Sequence, residues 1–228
     1  MCGRFNVIDN PGLQQLLKDL GIDLQLPRAI NIAPTEQVSL IRGRSGSSQG
    51  VELVSARWWL TPSWAKQVDQ KYAMFNARSE SLSARSAYKK PFRSQRGVIA
   101  MSSFIEWQTL SGVKQPYDIS TESGAMAAAA LWDVWEGGGD SMLSCTLVTT
   151  AAAQSFSPWH SRMPVLLTAS ECVRWLDNTQ TIADNDKIFR SEFKERWHLA
   201  PLDKAIGNSR LKTPELLEPA GEIVVLAA

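Results

Sequence analysis

Between residues 97 and 150 the chain alternates short apolar, β-branched runs with abrupt turn signals. No other feature constrains the fold as much. The runs 97–101, 104–109, 117–120, 125–136 and 142–150 read as strands. Thr121-Glu122-Ser123-Gly124 and Gly137-Gly138-Gly139-Asp140 supply turns between them. Strands joined this tightly pair with their sequence neighbours, so the sheet they form is mostly antiparallel and curls towards a barrel. Upstream, 38–41 and 51–60 read as a hairpin around the Gly/Ser-rich stretch 43–50, after a loop-like turn at 31–35. Asp9-Asn10-Pro11 starts a helix, Leu13, Leu16, Leu17 and Leu20 recur at helical spacing, and Gly21 stops it. Residues 76–80 are expected to lead into a short helix that ends before Pro91, and further helices are expected briefly in the Ala-rich stretch ahead of Pro158, at 169–176 and at 186–196. Late strands are expected at 199–202 and 223–226. The expectation is an α+β fold: a single domain over residues 1–228 with a twisted, barrel-like, mostly antiparallel β core, short flanking helices and a tail at the last few residues.

Composition excludes several classes. At 44% hydrophobic and 21% charged residues the chain is an ordinary globular one, and no apolar run approaches a membrane span. Three cysteines without C-x-x-C spacing argue against a disulfide framework or a zinc site, so a monomer in the reducing cytoplasm is expected. Net charge is only +1, yet residues 71–97 carry seven cations against Glu80 alone, a local +6. That stretch suits either a solvated face or a phosphate backbone.

Chemistry concentrates at Met1-Cys2-Gly3-Arg4-Phe5. If Met1 is removed, Cys2 presents an α-amine titrating near pH ~8 and a thiol near ~8.5 on adjacent carbons. Such a 1,2-aminothiol condenses with an aldehyde to an imine, which the thiol closes intramolecularly to a thiazolidine ring. The pentapeptide alone fits equally a small second residue with no function. Glu106 interrupts the apolar run Phe104-Ile105-Trp107, as either a wet-face glutamate or an acid/base group. His160 lies in a loop, as either an incidental residue or a catalytic group of the kind loops often carry, whereas His198 reads as structural. Of Trp58, Trp59 and Trp64, one or two are expected to touch a ligand and the rest to be core.

Taken in order, the motifs resemble the SRAP family (SOS-response-associated peptidase, or abasic-site processing proteins). They are M-C-G-R-F at the start, N-I-A-P at 31–34, W-x-L-x-P-x-W at 58–64 and N-A-R-S-E at 76–80. K-P-F at 90–92, E-W at 106–107, A-L-W-D at 130–133, H-S-R-M-P at 160–164, W-L at 175–176 and A-I-G-N at 205–208 follow. The resemblance implies binding of single-stranded DNA at abasic sites and a covalent thiazolidine link through Cys2 after loss of Met1. By the same likeness Asn76 holds the sugar, Glu106 is the acid/base group also invoked in Met1 release, and His160 is a second proton-transfer group. Arg4 and Arg78 would contact phosphates, Pro34 and Trp64 would lie near the bases, and Lys90 and Arg162 would belong to the same DNA-binding surface. No metal or organic cofactor is implied, and association with the nucleoid would follow from DNA binding. Two rival readings remain: an amidohydrolase with Cys2 as N-terminal nucleophile, and a single-strand-binding module without chemistry.

Overall fold

The computed structural model describes residues 2–43 and 50–227, so the loop expected at 43–50 falls largely outside the described residues. In chain order the first elements are β1 (Arg4–Val7), α1 (Pro11–Asp19), β2 (Ala29–Ile32), β3 (Gln37–Gly43), β4 (Val51–Trp58), β5 (Asn76–Arg78) and α2 (Ser86–Ser94). Then come β6 (Arg96–Met101), β7 (Ser103–Leu110), β8 (Val113–Thr121), β9 (Met126–Gly137) and β10 (Asp140–Ala151). The chain finishes with β11 (Arg162–Pro164), β12 (Leu166–Leu167), α3 (Ala169–Leu176), β13 (Trp197–Pro201) and β14 (Val224–Leu226).

Five strands close a barrel in the order β10-β4-β3-β6-β9, with β9 returning to β10. All contacts around it are antiparallel except β4 against β10, which run parallel at Arg57↔Ser144 and Trp58↔Cys145. Crowding at this closure explains the small residues of β9. Ala127, Ala128, Ala129 and Ala130 are all buried, and Gly97 on β6 sits where a Cβ would meet the Ile41 carbonyl at 3.0 Å. A second, wholly antiparallel sheet, β14-β13-β8-β7-β1-β2, packs alongside. Phe5 and Phe104 from this sheet and Trp58, Leu40 and Leu147 from the barrel belong to one buried core. The expected barrel-like α+β domain is what the chain forms. Among the described residues no helix is long and apolar enough to cross a membrane.

α1 forms as its sequence dictates: Asn10 accepts from the Leu13 amide at 2.9 Å, Pro11 opens the helix, and Gly21 follows at φ +74°. Four expectations are corrected. Asn31 and Ile32 lie in β2, not in a turn, because Asn31 is buried and its amide donates to the carbonyls of Ile206, Asn208 and Leu211; the turn comes at Pro34-Thr35. Residues 76–78 are strand β5, recruited by β10, and α2 continues through Pro91. The hydrogen bond Pro91 cannot make is offset by burying Pro91 and Phe92. Only a 3₁₀ turn, Lys187–Phe189, forms within 186–196: Asp186 is claimed by the Arg174 guanidinium and by the Ile188 amide, and Ile188 and Phe189 turn inward. The Ala-rich stretch before Pro158 is a run of turns pinned by buried Ala153 and Phe156.

On the far side of the second sheet a polar knot ties β1 down. The Asn6 amide donates to Ser103 Oγ at 2.9 Å and Asp118 Oδ1 at 3.0 Å, and its oxygen accepts from the Asn31 amide at 2.8 Å. Burial pushes the Asp118 carboxyl up to about 6 despite its hydrogen bonds to Ser103 and Asn6. The native state therefore holds this proton more tightly than the unfolded chain. Its contribution to stability is greatest below about pH 4 and declines as pH rises through about 6. Asp118→Asn keeps an acceptor for Asn6 without the buried charge. Melting temperatures from pH 4 to 8 should show the variant gaining on the wild type as pH rises through 6; a gap that does not change with pH would contradict this.

Candidate active site and nucleic-acid groove

Cys2 lies two residues ahead of β1, which is held between β2 and β7 by Phe5↔Ile32, Arg4↔Ile105 and Phe5↔Phe104. The residue is 1% exposed. Asn76, first residue of β5, donates from Nδ2 to the Cys2 carbonyl at 2.9 Å, and Tyr88 Oη donates to the Asn76 carbonyl at 3.3 Å. Asn76 Oδ1 is buried without a partner among the described residues, an acceptor left for a ligand or a freed amine. Cys2 Sγ faces the Arg4 carbonyl at 3.7 Å. Burial pushes the thiol far up, and the negative charge of nearby Glu106 pushes it in the same direction. Glu106 on β7 is 4% exposed and accepts from the Trp107 amide at 3.1 Å, so it is not a wet-face glutamate.

His160 arrives just ahead of β11, which pairs with β10 at Ala151↔Arg162. The Arg162 amide donates to His160 Nδ1 at 2.9 Å, leaving Nε2 to carry the proton of the neutral ring. β10 thus carries β5 and β11 at one end and gathers the Asn76 and His160 segments there.

Beside Asn76 runs an open groove of about 890 Å³, walled by Trp64, Lys66, Tyr72, Arg78 and Arg85. Trp64 and Tyr72 are 63% and 67% exposed. Trp58 is instead core, with Nε1 donating to the Phe75 carbonyl. Arg78 is exposed on the groove wall. Pro34 is half-buried in a turn that Thr35 completes at φ +82°. Arg4 is half-buried, its guanidinium 6.0 Å from the Trp107 ring, and burial lowers its pKa. Arg162 is bound within the protein, to Glu80 at 2.6 and 2.9 Å and to the Thr149 carbonyl at 2.6 Å. Lys90 is exposed and reaches Asp133 at 3.4 Å. Arg96, counted in the basic stretch, is buried and structural: it donates to carbonyls of Phe92, Arg93, Trp175, Asp177 and Gln180. Arg85 belongs to the basic stretch read from the sequence, whereas Tyr72 and Lys66 were not read there as groove residues; a tyrosine beside Lys71 in an otherwise polar stretch was the available signal. Among the described residues no His, Cys, Asp and Glu side chains converge as a metal centre requires.

The family model for SOS response associated peptidase (SRAP) matches residues 1–209, from β1 past β13. The chain belongs to the SRAP family. This SRAP chain is 30% identical over 227 residues to abasic site processing protein YoqW of Bacillus subtilis, covering 96% of this chain and 99% of that protein. It is 32% identical over 192 residues to YoaM of the same organism, with 81% and 82% covered. Abasic site processing protein HMCES of Xenopus tropicalis is 31% identical over 191 residues, 72% of the SRAP chain and 56% of HMCES. A crystal structure from Bacteroides thetaiotaomicron shares the fold at TM-score 0.74 and 15% identity, with 94% and 98% of the two chains covered. A phage-related protein of Bordetella bronchiseptica does so at TM-score 0.67 and 21% identity, with 88% and 94% covered.

All three thiols are buried and burial raises each pKa. At pH 8 iodoacetamide should therefore alkylate the native SRAP protein at least about tenfold more slowly than the urea-unfolded chain. Rapid native labelling at Cys2 would contradict the buried thiol.

Proposed function

We propose that this chain binds single-stranded DNA at abasic sites and, once Met1 is removed, joins Cys2 to the exposed sugar aldehyde as a thiazolidine. The observation that carries the reading is that buried Cys2 lies near Glu106 and is held by Asn76, which itself lines a basic, aromatic-rimmed groove. The named activity of relatives aligned over nearly their whole length supports it.

The chemistry runs as a hydrolysis, a condensation and an intramolecular addition. Hydrolysis of the Met1–Cys2 bond consumes a water and releases methionine, giving the free α-amine. That nitrogen attacks the aldehyde carbon of the open sugar, and water leaves as the imine forms. Sulfur then adds to the same carbon. Its proton passes to Glu106 while the imine nitrogen gains one, so the ring closes with no redox change. A thiol held neutral by burial and by Glu106 waits for this moment, because the cationic iminium beside it favours the thiolate. Asn76 Nδ2 fixes the Cys2 carbonyl, which aims the α-nitrogen, and its open Oδ1 can accept from that amine or from a sugar hydroxyl. His160, with Nε2 as donor, protonates the sugar ring oxygen so that the aldehyde opens. Trp64 offers a face to an unpaired base, worth about 1–3 kcal/mol. Arg78 on the groove wall contacts a phosphate, and Arg4, Pro34, Lys90 and Arg162 complete the surface, the last through a guanidinium already anchored on Glu80.

The deciding experiment is denaturing electrophoresis after mixing the protein with a single strand carrying one abasic site. Wild type should give a heat-stable adduct without reductant. Cys2→Ala retains an α-amine but cannot close the ring. It should give little adduct alone, yet borohydride should trap its imine. Equal adduct from Cys2→Ala without reductant would move the chemistry to another nucleophile. No wild-type adduct would favour the binding module, and ammonia release from glutamine would favour the amidohydrolase.

A further inference from the structure

Three of the sequence motifs take no part in the covalent steps, and they meet at one buried carboxylate. Asp133, from A-L-W-D on β9, is 2% exposed. Its Oδ2 accepts from the Ser63 amide at 2.8 Å, inside the T-P-S-W segment that carries Trp64. Its Oδ1 accepts from the Val134 amide at 2.9 Å, from Gln95 Nε2 at 3.1 Å, and from Lys90 of K-P-F at 3.4 Å. A carboxylate this deep is tolerable only when its acceptor sites are filled, and here the donors come from the loop, from α2 and its end, and from its own strand.

Two further bonds fix the same loop. The Thr61 amide donates to Ser144 Oγ at 2.8 Å, from the β10 residue paired with Asp133. On the other side Trp135 Nε1 donates to the Ala65 carbonyl at 2.8 Å. Trp64 therefore stands on a backbone anchored before, beside and after it, while its indole remains 63% exposed. An exposed aromatic on a loose loop would lose much of its stacking energy to ordering on binding; a pinned one would not.

We propose that Asp133 is a positioning residue for the Trp64 platform: it touches no nucleotide and sets DNA affinity by holding the Pro62–Ala65 turn. This rests on the groove being the single-strand surface proposed above, but not on the Cys2 chemistry.

The test is therefore made on the full chain with an unmodified single-stranded oligonucleotide, read by fluorescence anisotropy, so that failure of the crosslinking reading leaves it intact. Trp64→Ala should raise Kd about tenfold, the scale of one lost base stack. Asp133→Ala should raise it by a similar factor, and the double variant should be no weaker than Trp64→Ala alone. Trp135→Phe, which keeps an aromatic ring but removes the bond to Ala65, should give a smaller rise in the same direction and decides the matter if Asp133→Ala does not fold. Fully multiplicative effects of the Asp133 and Trp64 substitutions would overturn the proposal, as would an unchanged Kd in both Asp133→Ala and Trp135→Phe. In abasic-site crosslinking the half-saturating DNA concentration should rise while the rate at saturation stays within about twofold, the split expected when uniform binding alone is lost. A lower saturated rate at unchanged half-saturation would equally refute it.

Discussion

Strand β10 is the constraint on which the rest depends. Its antiparallel ladder with β9 and its short parallel contact with β4 close the barrel, and its last residues then accept β5 and β11. Those two strands bring residues far apart in sequence to one end of the barrel: Asn76 and Arg78 by β5, His160 and Arg162 by β11. The second sheet delivers Cys2, two residues ahead of β1, and Glu106 on β7. A single bond from the Asn76 amide to the Cys2 carbonyl then ties sheet to barrel. The geometry of the site is thus a consequence of closing the sheet, not an addition to it.

Buried charge is used in this fold as mortar. Arg96 spends its guanidinium on carbonyls at the ends of α2 and α3, where helices leave acceptors unsatisfied. Burial lowers its pKa only to about 10, so it stays cationic at neutral pH. Asp133 does the converse, collecting amide and ammonium donors around the Trp64 turn. Each draws partners from distant parts of the chain, Trp175 and Gln180 for Arg96 and Ser63 for Asp133, and each charge would be costly to bury alone.

The strands from β6 to β10 were legible in the sequence because each alternates locally and ends at a turn signal. Barrel closure was not, since it depends on Trp58 meeting Cys145 across a long separation that no local pattern encodes. Strand β5 was not legible for the same reason: Asn76–Arg78 are extended because β10 offers them a ladder, which no local pattern encodes. Pro91 read as a stop, yet burial of Pro91 and Phe92 carried α2 through it. At the site, Cys2, Asn76 and Glu106 could be named from motif and chemistry, but only the fold says that Glu106 is buried beside the thiol. Asp133 was invisible as a functional residue, because a carboxylate at the end of an apolar run looks like any strand polar residue until its donors are in place.

Central to the proposed function is capture of the aldehyde by both arms of one residue, the amine and the thiol of Cys2, with Met1 gone. Mass spectrometry of the digested DNA adduct tests this most directly. The expected product is a sugar remnant on a peptide that begins at Cys2, attached with loss of water and leaving no alkylatable thiol. A remnant on a lysine, or on a peptide that still carries Met1, would contradict the account.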